Sequence, residues 1–223
     1  MGSITRSLSN NITTGGVILP AGITNDSVSA VTSFANASGG TLMLLSTQTA
    51  SNSATISFTT GLDSTYDAYE FKFIDIHPRT DNVGFQFNLS TDSGSNYNVT
   101  KTTTYFWCYH NESDSATTLA YSTGGDLAQS TSYQDLFTSA SNSGISSDAD
   151  HAGYGTLQIF NPASTTYVKH FISTLQYNQW EDFSFNTYVA GYGNTTSAVN
   201  AIQFKMSSGN FDGIIKLYGV KKS

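Results

Sequence analysis

Four histidines, three glutamates and one cysteine are the side chains most able to do acid–base or nucleophilic chemistry in this 223-residue chain. A nucleophilic triad needs an activated serine or cysteine on a sharp turn beside a histidine base, and no Gly-x-Ser-x-Gly elbow occurs. His77 precedes Pro78 at the end of an extended run and His170 lies inside TYVKHFIS, so both read as structural. Cys108 sits among aromatics in TYFWCYH and reads as a buried, inert thiol. A single cysteine also rules out an intrachain disulfide and a thiolate metal cluster. Glycoside hydrolysis requires two carboxylates held across one bond. Glu70, Glu112 and Glu181 are the only glutamates, and the Glu-x-Asp-x-Glu strand used by glucanases on concanavalin-like sandwiches is missing. Glu70 alternates outward beside Lys72, and Glu181-Asp182 follows Trp180 in a turn. The expectation is therefore that the chain is not an enzyme. A polysaccharide-degrading glycoside hydrolase stays as the alternative, because the fold class hosts such enzymes.

Calcium takes six to eight oxygens, commonly from Asp and Asn in loops. Asp148-Ala-Asp150-His151 and Asp92-Ser-Gly-Ser-Asn96 are the two local clusters, and each lacks a full ligand pattern. Both read as solvated turns, with no cofactor or metal expected. The aromatics carry more information. Thirteen Tyr, fourteen Phe and two Trp concentrate at Tyr105-Phe106-Trp107 and Tyr177-Asn-Gln-Trp180. Tyr and Trp beside amides either stack on sugar faces or fill a subunit interface. Tyr105, Trp107, Tyr177 and Trp180, with Asp148, Asp150 and His151 of the neighbouring loop, are the candidate glycan or interface contacts.

Composition narrows the partners. A net charge of −7 and a pI near 4.7 argue against a polyanion-binding surface, because phosphate contacts need clustered Lys and Arg. No apolar run reaches the roughly 20 residues that span a bilayer, and MGSITRSLSNN has no hydrophobic segment of a signal peptide. The expectation is a soluble protein made without export, free of nucleic acid and of membrane insertion. Its Asn-x-Ser/Thr triplets then reflect composition, not glycosylation.

The elements that must position these residues are strands. Only 11% of residues are charged, too few for the solvent faces of helices. From Thr41 onward short β-like runs alternate with Gly, Asn, Asp and Ser turns. Tyr69, Phe71 and Phe73 alternate with Glu70 and Lys72, and Val83, Phe85, Phe87 and Leu89 share one face. Ser51-Asn52 reads as a turn between two strands, and SNSGISSDADHAG, residues 141–153, as a long binding-type loop. The pattern predicts a single antiparallel β-sandwich over residues 39–223. Residues 1–38, broken by Gly15-Gly16, Pro20 and Gly22, predict an extended N-terminal arm held by a neighbouring subunit or assembly.

At the C-terminus, IQFKMSSGN followed by GIIKLYG resembles the closing hairpin of uncharacterised virion proteins of tailed phages, especially marine ones. SITRSLSNNITTGGVILPAGI, DSTYDAYEFKFIDIHPRTDN, NPASTTYVKHFIS and YVAGYGNTTSAVNAIQFKMSSG are similar to the same group, so the resemblance spans most of the chain. It implies a tail-fibre, receptor-binding or head-decorating component built as a jelly-roll or lectin-like sandwich, assembled into a virion in the host cytoplasm. Other virion proteins would be partners through the arm. The resemblance also implies a homo-oligomer, for which a trimer is the starting guess, and it brings no shared catalytic residue. An adhesin would contact a host surface glycan through its Tyr, Trp and polar loops, whereas a purely structural decoration would place those aromatics between subunits. Within the hairpin, Gly209 and Asn210 would reverse the chain, Ile215, Leu217 and Val220 would form the more apolar face against Ile214, Lys216 and Tyr218, and Lys221 and Lys222 would discourage further strand addition.

Overall fold

The computed structural model describes residues 41–138 and 143–220. The expected arm over residues 1–38 and the terminal Lys221 and Lys222 therefore lie outside the described residues. Twelve strands follow in chain order: β1 (Leu42–Ser53), β2 (Thr55–Phe58), β3 (Ala68–Pro78), β4 (Phe85–Ser90), β5 (Lys101–Asn111) and β6 (Thr117–Tyr121), then β7 (Gln134–Phe137), β8 (Gly153–Phe160), β9 (Lys169–Gln179), β10 (Phe183–Gly193), β11 (Ala201–Met206) and β12 (Phe211–Val220). Eight form a large sheet in the order β1-β12-β3-β8-β9-β10-β5-β6, and four form a small sheet in the order β2-β11-β4-β7. Every pairing is antiparallel, and the two sheets close an all-β sandwich, as the strand periodicity predicts.

Alternation decides which side chains enter the space between the sheets. Tyr69, Phe71 and Phe73 of β3 face inward, and so do Val83, Phe85, Phe87 and Leu89 on and before β4, all buried as expected. Phe204 of β11 sits at the centre, with ring centroids of Phe71 and Phe73 from the opposite sheet at 5.3 and 5.2 Å, both edge-to-face. Phe87 meets Phe171 of β9 across the same gap at 5.1 Å. Burying a Phe contributes roughly 1.5–3 kcal/mol, and an edge-to-face pair adds about 0.5–1.5 kcal/mol. This aromatic layer fastens the sheets together.

Three expectations are corrected. The terminal strands do not form a hairpin: β11 pairs with β2 and β4 in the small sheet, and β12 pairs with β1 and β3 in the large one. Residues 207–210 turn a corner between sheets, with Gly209 at φ 73 and Asn210 outside the left-handed region. The inward Ile215 and Leu217 form the apolar face of β12, whereas Val220, three residues beyond Leu217, falls on the opposite face and is half-buried. Ser51-Asn52 is no break either, since β1 runs to Ser53 through a bulge where Asn52 adopts φ 52. The backbone N–H of Asn52 is held by Asp212 Oδ1 at 2.8 Å, and its carbonyl accepts from Asn210 Nδ2 at 2.9 Å. The third correction concerns only the surface position of the loop expected over residues 141–153, of which residues 141 and 142 lie outside the described residues. From Ser143 to Ala152 the chain forms no regular strand, as expected, but its first part is enclosed. Ser143, Gly144, Ile145 and Ser146 are buried, and Ile145 bridges to Val83 on one side and Gln179 on the other.

Candidate functional site

Eight strands against four leave part of the inner face uncovered. Strand β7 is the edge of the small sheet, and its Leu136 carbonyl accepts from Thr187 Oγ1 at 2.8 Å and Tyr105 Oη at 3.2 Å. Beyond it, the inward-facing positions of β5 and β10 emerge at the ends nearest the β9–β10 turn. Trp107, Tyr109 and Phe183 are half-buried there, while Phe185 is buried behind them. The Trp107 and Tyr109 rings stack at 5.4 Å with planes 19° apart, and Phe183 meets Tyr109 edge-on at 5.0 Å. These rings floor a cleft of about 260 Å³, walled by Ser143, Gln179 and Glu181.

The walls come from two segments that the fold brings together. Gln179 ends β9, and its Oε1 accepts the Glu181 N–H at 2.7 Å, which shapes the turn and leaves the Glu181 carboxylate exposed. Ser143 is pinned through its carbonyl, which accepts from Tyr177 Oη at 2.7 Å. The result is an aromatic floor with a carboxylate, an amide and a hydroxyl on its rim. Such a surface suits a ligand with an apolar face and polar edges.

On the far side of the same turn, Asp148, His151 and Asp182 bring three donor atoms within 4.8 Å of one another. His151 Nε2 lies 3.8 Å from Asp182 Oδ1 and 4.0 Å from Asp150 Oδ1. An imidazole that ligates a metal normally anchors its other nitrogen on an acceptor. His151 Nδ1 is buried with no partner among the described residues, so the cluster lacks that support. Asp148 and Asp150 are exposed. The second cluster closes on itself: Asp92 accepts from Ser90 Oγ at 2.6 Å, Asn96 N at 2.9 Å and Asn96 Nδ2 at 2.7 Å.

The other expected site residues separate. Tyr105 and Tyr177 are completely buried core side chains with internally bonded hydroxyls, so neither reaches a ligand or a second subunit. Their rings support the site from below, Tyr177 lying 5.5 Å from Phe185. Trp180 is half-buried in the β9–β10 turn, where its N–H donates to Gly144 O at 3.3 Å, and it does not line the cleft. Tyr109, Phe183 and Gln179 were missed, although period-2 alternation from Trp107 points to Tyr109 as its neighbour on the same face. Cys108 is half-buried on the outer face of the large sheet, not enclosed. His170 is exposed beside Tyr192, whereas His77 is structural, its Nδ1 2.8 Å from the His151 carbonyl.

A second depression, of about 370 Å³, lies on the outer face where Ala190 and Gly191 leave room between Phe160, Ile172 and Tyr192. Among the described residues that line it there is no carboxylate or amide side chain to orient a ligand, which favours the cleft as the site. Glu70 lies on the outer face of the large sheet, accepting from Gln158 Nε2 at 2.7 Å and 3.5 Å from Lys72 Nζ. Among the described residues, Glu181 is the one carboxylate lining the cleft. Comparison of the chain with protein-family models, with curated proteins and with solved structures finds no match.

Proposed function

We propose that the chain is a non-enzymatic virion structural protein whose β-sandwich projects from the particle and contacts a host surface glycan through the Trp107–Tyr109 cleft. One observation carries the binding part of this reading: two stacked, half-exposed rings with Ser143, Gln179 and Glu181 on their rim. Pyranose rings offer C–H-rich faces to aromatic side chains and equatorial hydroxyls to amides and carboxylates. The tailed-phage resemblance supplies the setting, in tail fibre, receptor-binding protein or capsid decoration. Homo-oligomerisation, with a trimer as the starting guess, belongs to the same reading. Phe106, Leu119 and Tyr121, exposed together on the outer face of β5 and β6, are side chains that such association would cover.

A glycan array probed with the full chain tests it. Retention of a neutral glycan is expected, with Trp107→Ala weakening it tenfold or more, a loss of about 1.4 kcal/mol. Trp180→Ala, outside the cleft, leaves it unchanged. Failure of the wild type to retain any glycan, even when presented multivalently, would sink the binding part. Imaging of the assembled particle then separates head from tail.

A further inference from the structure

Lys101 opens β5 and is completely enclosed, as is Asn88 in β4. Lys101 Nζ donates to Asn88 Oδ1 at 2.5 Å and to Val99 O at 2.9 Å. Both acceptors are neutral. An ammonium carries three donors and a neutral amine two, and two is the number of acceptors that Nζ meets among the described residues. Burial, with no counter-ion among the described residues, pulls the amine down to about 7. Near neutral pH a substantial share of the molecules therefore carries an amine with a free lone pair.

Asn88 is held as an electrophile. Its Oδ1 also accepts the Leu89 N–H at 2.9 Å, while Nδ2 donates to Tyr97 O at 2.6 Å and Thr131 O at 2.9 Å. A backbone N–H aimed at a carbonyl oxygen stabilises the negative charge that builds there when the carbon is attacked. With a C=O bond of about 1.2 Å, an amine 2.5 Å from Oδ1 lies within about 3.7 Å of Cγ, close to the ~3–3.5 Å of a near-attack geometry.

We propose that Lys101 and Asn88 close an intramolecular isopeptide bond, a self-modification that ties β4 of the small sheet to β5 of the large one. Rotation about Cε–Nζ turns the lone pair of the neutral amine onto Asn88 Cγ. The N–C bond forms, and the carbonyl electron pair moves to Oδ1, beside the Leu89 N–H. A proton then passes from Nζ to Nδ2, the Cγ–Nδ2 bond breaks as the carbonyl reforms, and ammonia leaves. One C–N bond is made, one is broken, and no oxidant or cofactor takes part. No carboxylate among the described hydrogen-bond partners carries that proton, so closure is slow. The reaction is independent of the cleft and of any glycan.

Intact-mass spectrometry of the purified full chain, followed over days at mildly alkaline pH, tests it. The expected result is a mass lower than that of the sequence by one ammonia molecule, reached faster as pH rises through about 7. Chymotryptic cleavage after Tyr97 should leave the two flanking peptides joined, and Lys101→Arg should keep the full mass. A wild type that holds its full sequence mass throughout overturns the proposal. So does an ammonia loss that persists in Lys101→Arg, because it then arises at another amide.

Discussion

Individual side chains at the two ends of the burial scale carry different consequences. Phe204 makes ring contacts with Phe58, Phe71, Phe73, Phe85 and Phe87 and is fully enclosed. Phe204→Ala should cost about 3–5 kcal/mol in denaturant unfolding, with an unchanged m-value if the denatured state is unaffected. Asp92 is a surface case. Hydrogen bonds from Ser90 and Asn96 hold its carboxyl at about 2, below the ordinary 3.8. Its folded value lies below its unfolded one, so its stabilisation is complete above about pH 4 and is lost as pH falls towards 2. Thermal melts of wild type and Asp92→Asn should therefore converge between pH 4 and pH 2, and a constant difference across that window would contradict the assignment. The inward register of Tyr105 follows from alternation with Phe106, and that of Trp107 from the same count. What alternation cannot say is that Tyr105 lies under β7 while Trp107 lies past its edge.

At the scale of the elements, the segment 143–146 does more than its composition suggests. Ile145 is its one large apolar residue, and SNSGISSDADHAG reads as solvent-facing loop for that reason. In the fold Ile145 is pinned between Val83 and Gln179, which fixes Ser143 as the wall of the cleft. Ile145→Ala should destabilise by about 2–5 kcal/mol and, in a protein still folded, weaken glycan retention without touching Trp107. Gly153, at the start of β8, works by absence: a Cβ there would lie 2.2 Å from Phe137 Cζ. Gly153→Ala should therefore lower the melting temperature through overpacking of about 1–3 kcal/mol. Neither dependence shows locally, because Phe137 and Val83 are distant in the chain from the residues they constrain.

For the whole molecule, β1 and β12 bring the two ends of the described chain together, and consecutive strands repeatedly change sheet. Such non-local pairing makes folding slow, because loop-closure entropy precedes the contacts that compensate it. Stopped-flow refolding should fall in the millisecond-to-second range, and microsecond folding would be inconsistent with this topology. The sequence by itself determined the all-β class, most strand positions and the inward face of each long strand, because a period of two and the shortage of charge are local properties. It also marked Trp107 as a contact candidate. Only the tertiary structure decided that the last two strands belong to different sheets, that Tyr105 and Tyr177 are core, and that Tyr109, Gln179, Glu181 and Ser143 share one cleft with Trp107. Strand order and the unequal widths of the two sheets are set by distant pairings. Those pairings determine which inward-facing rings are covered and which remain open to a ligand.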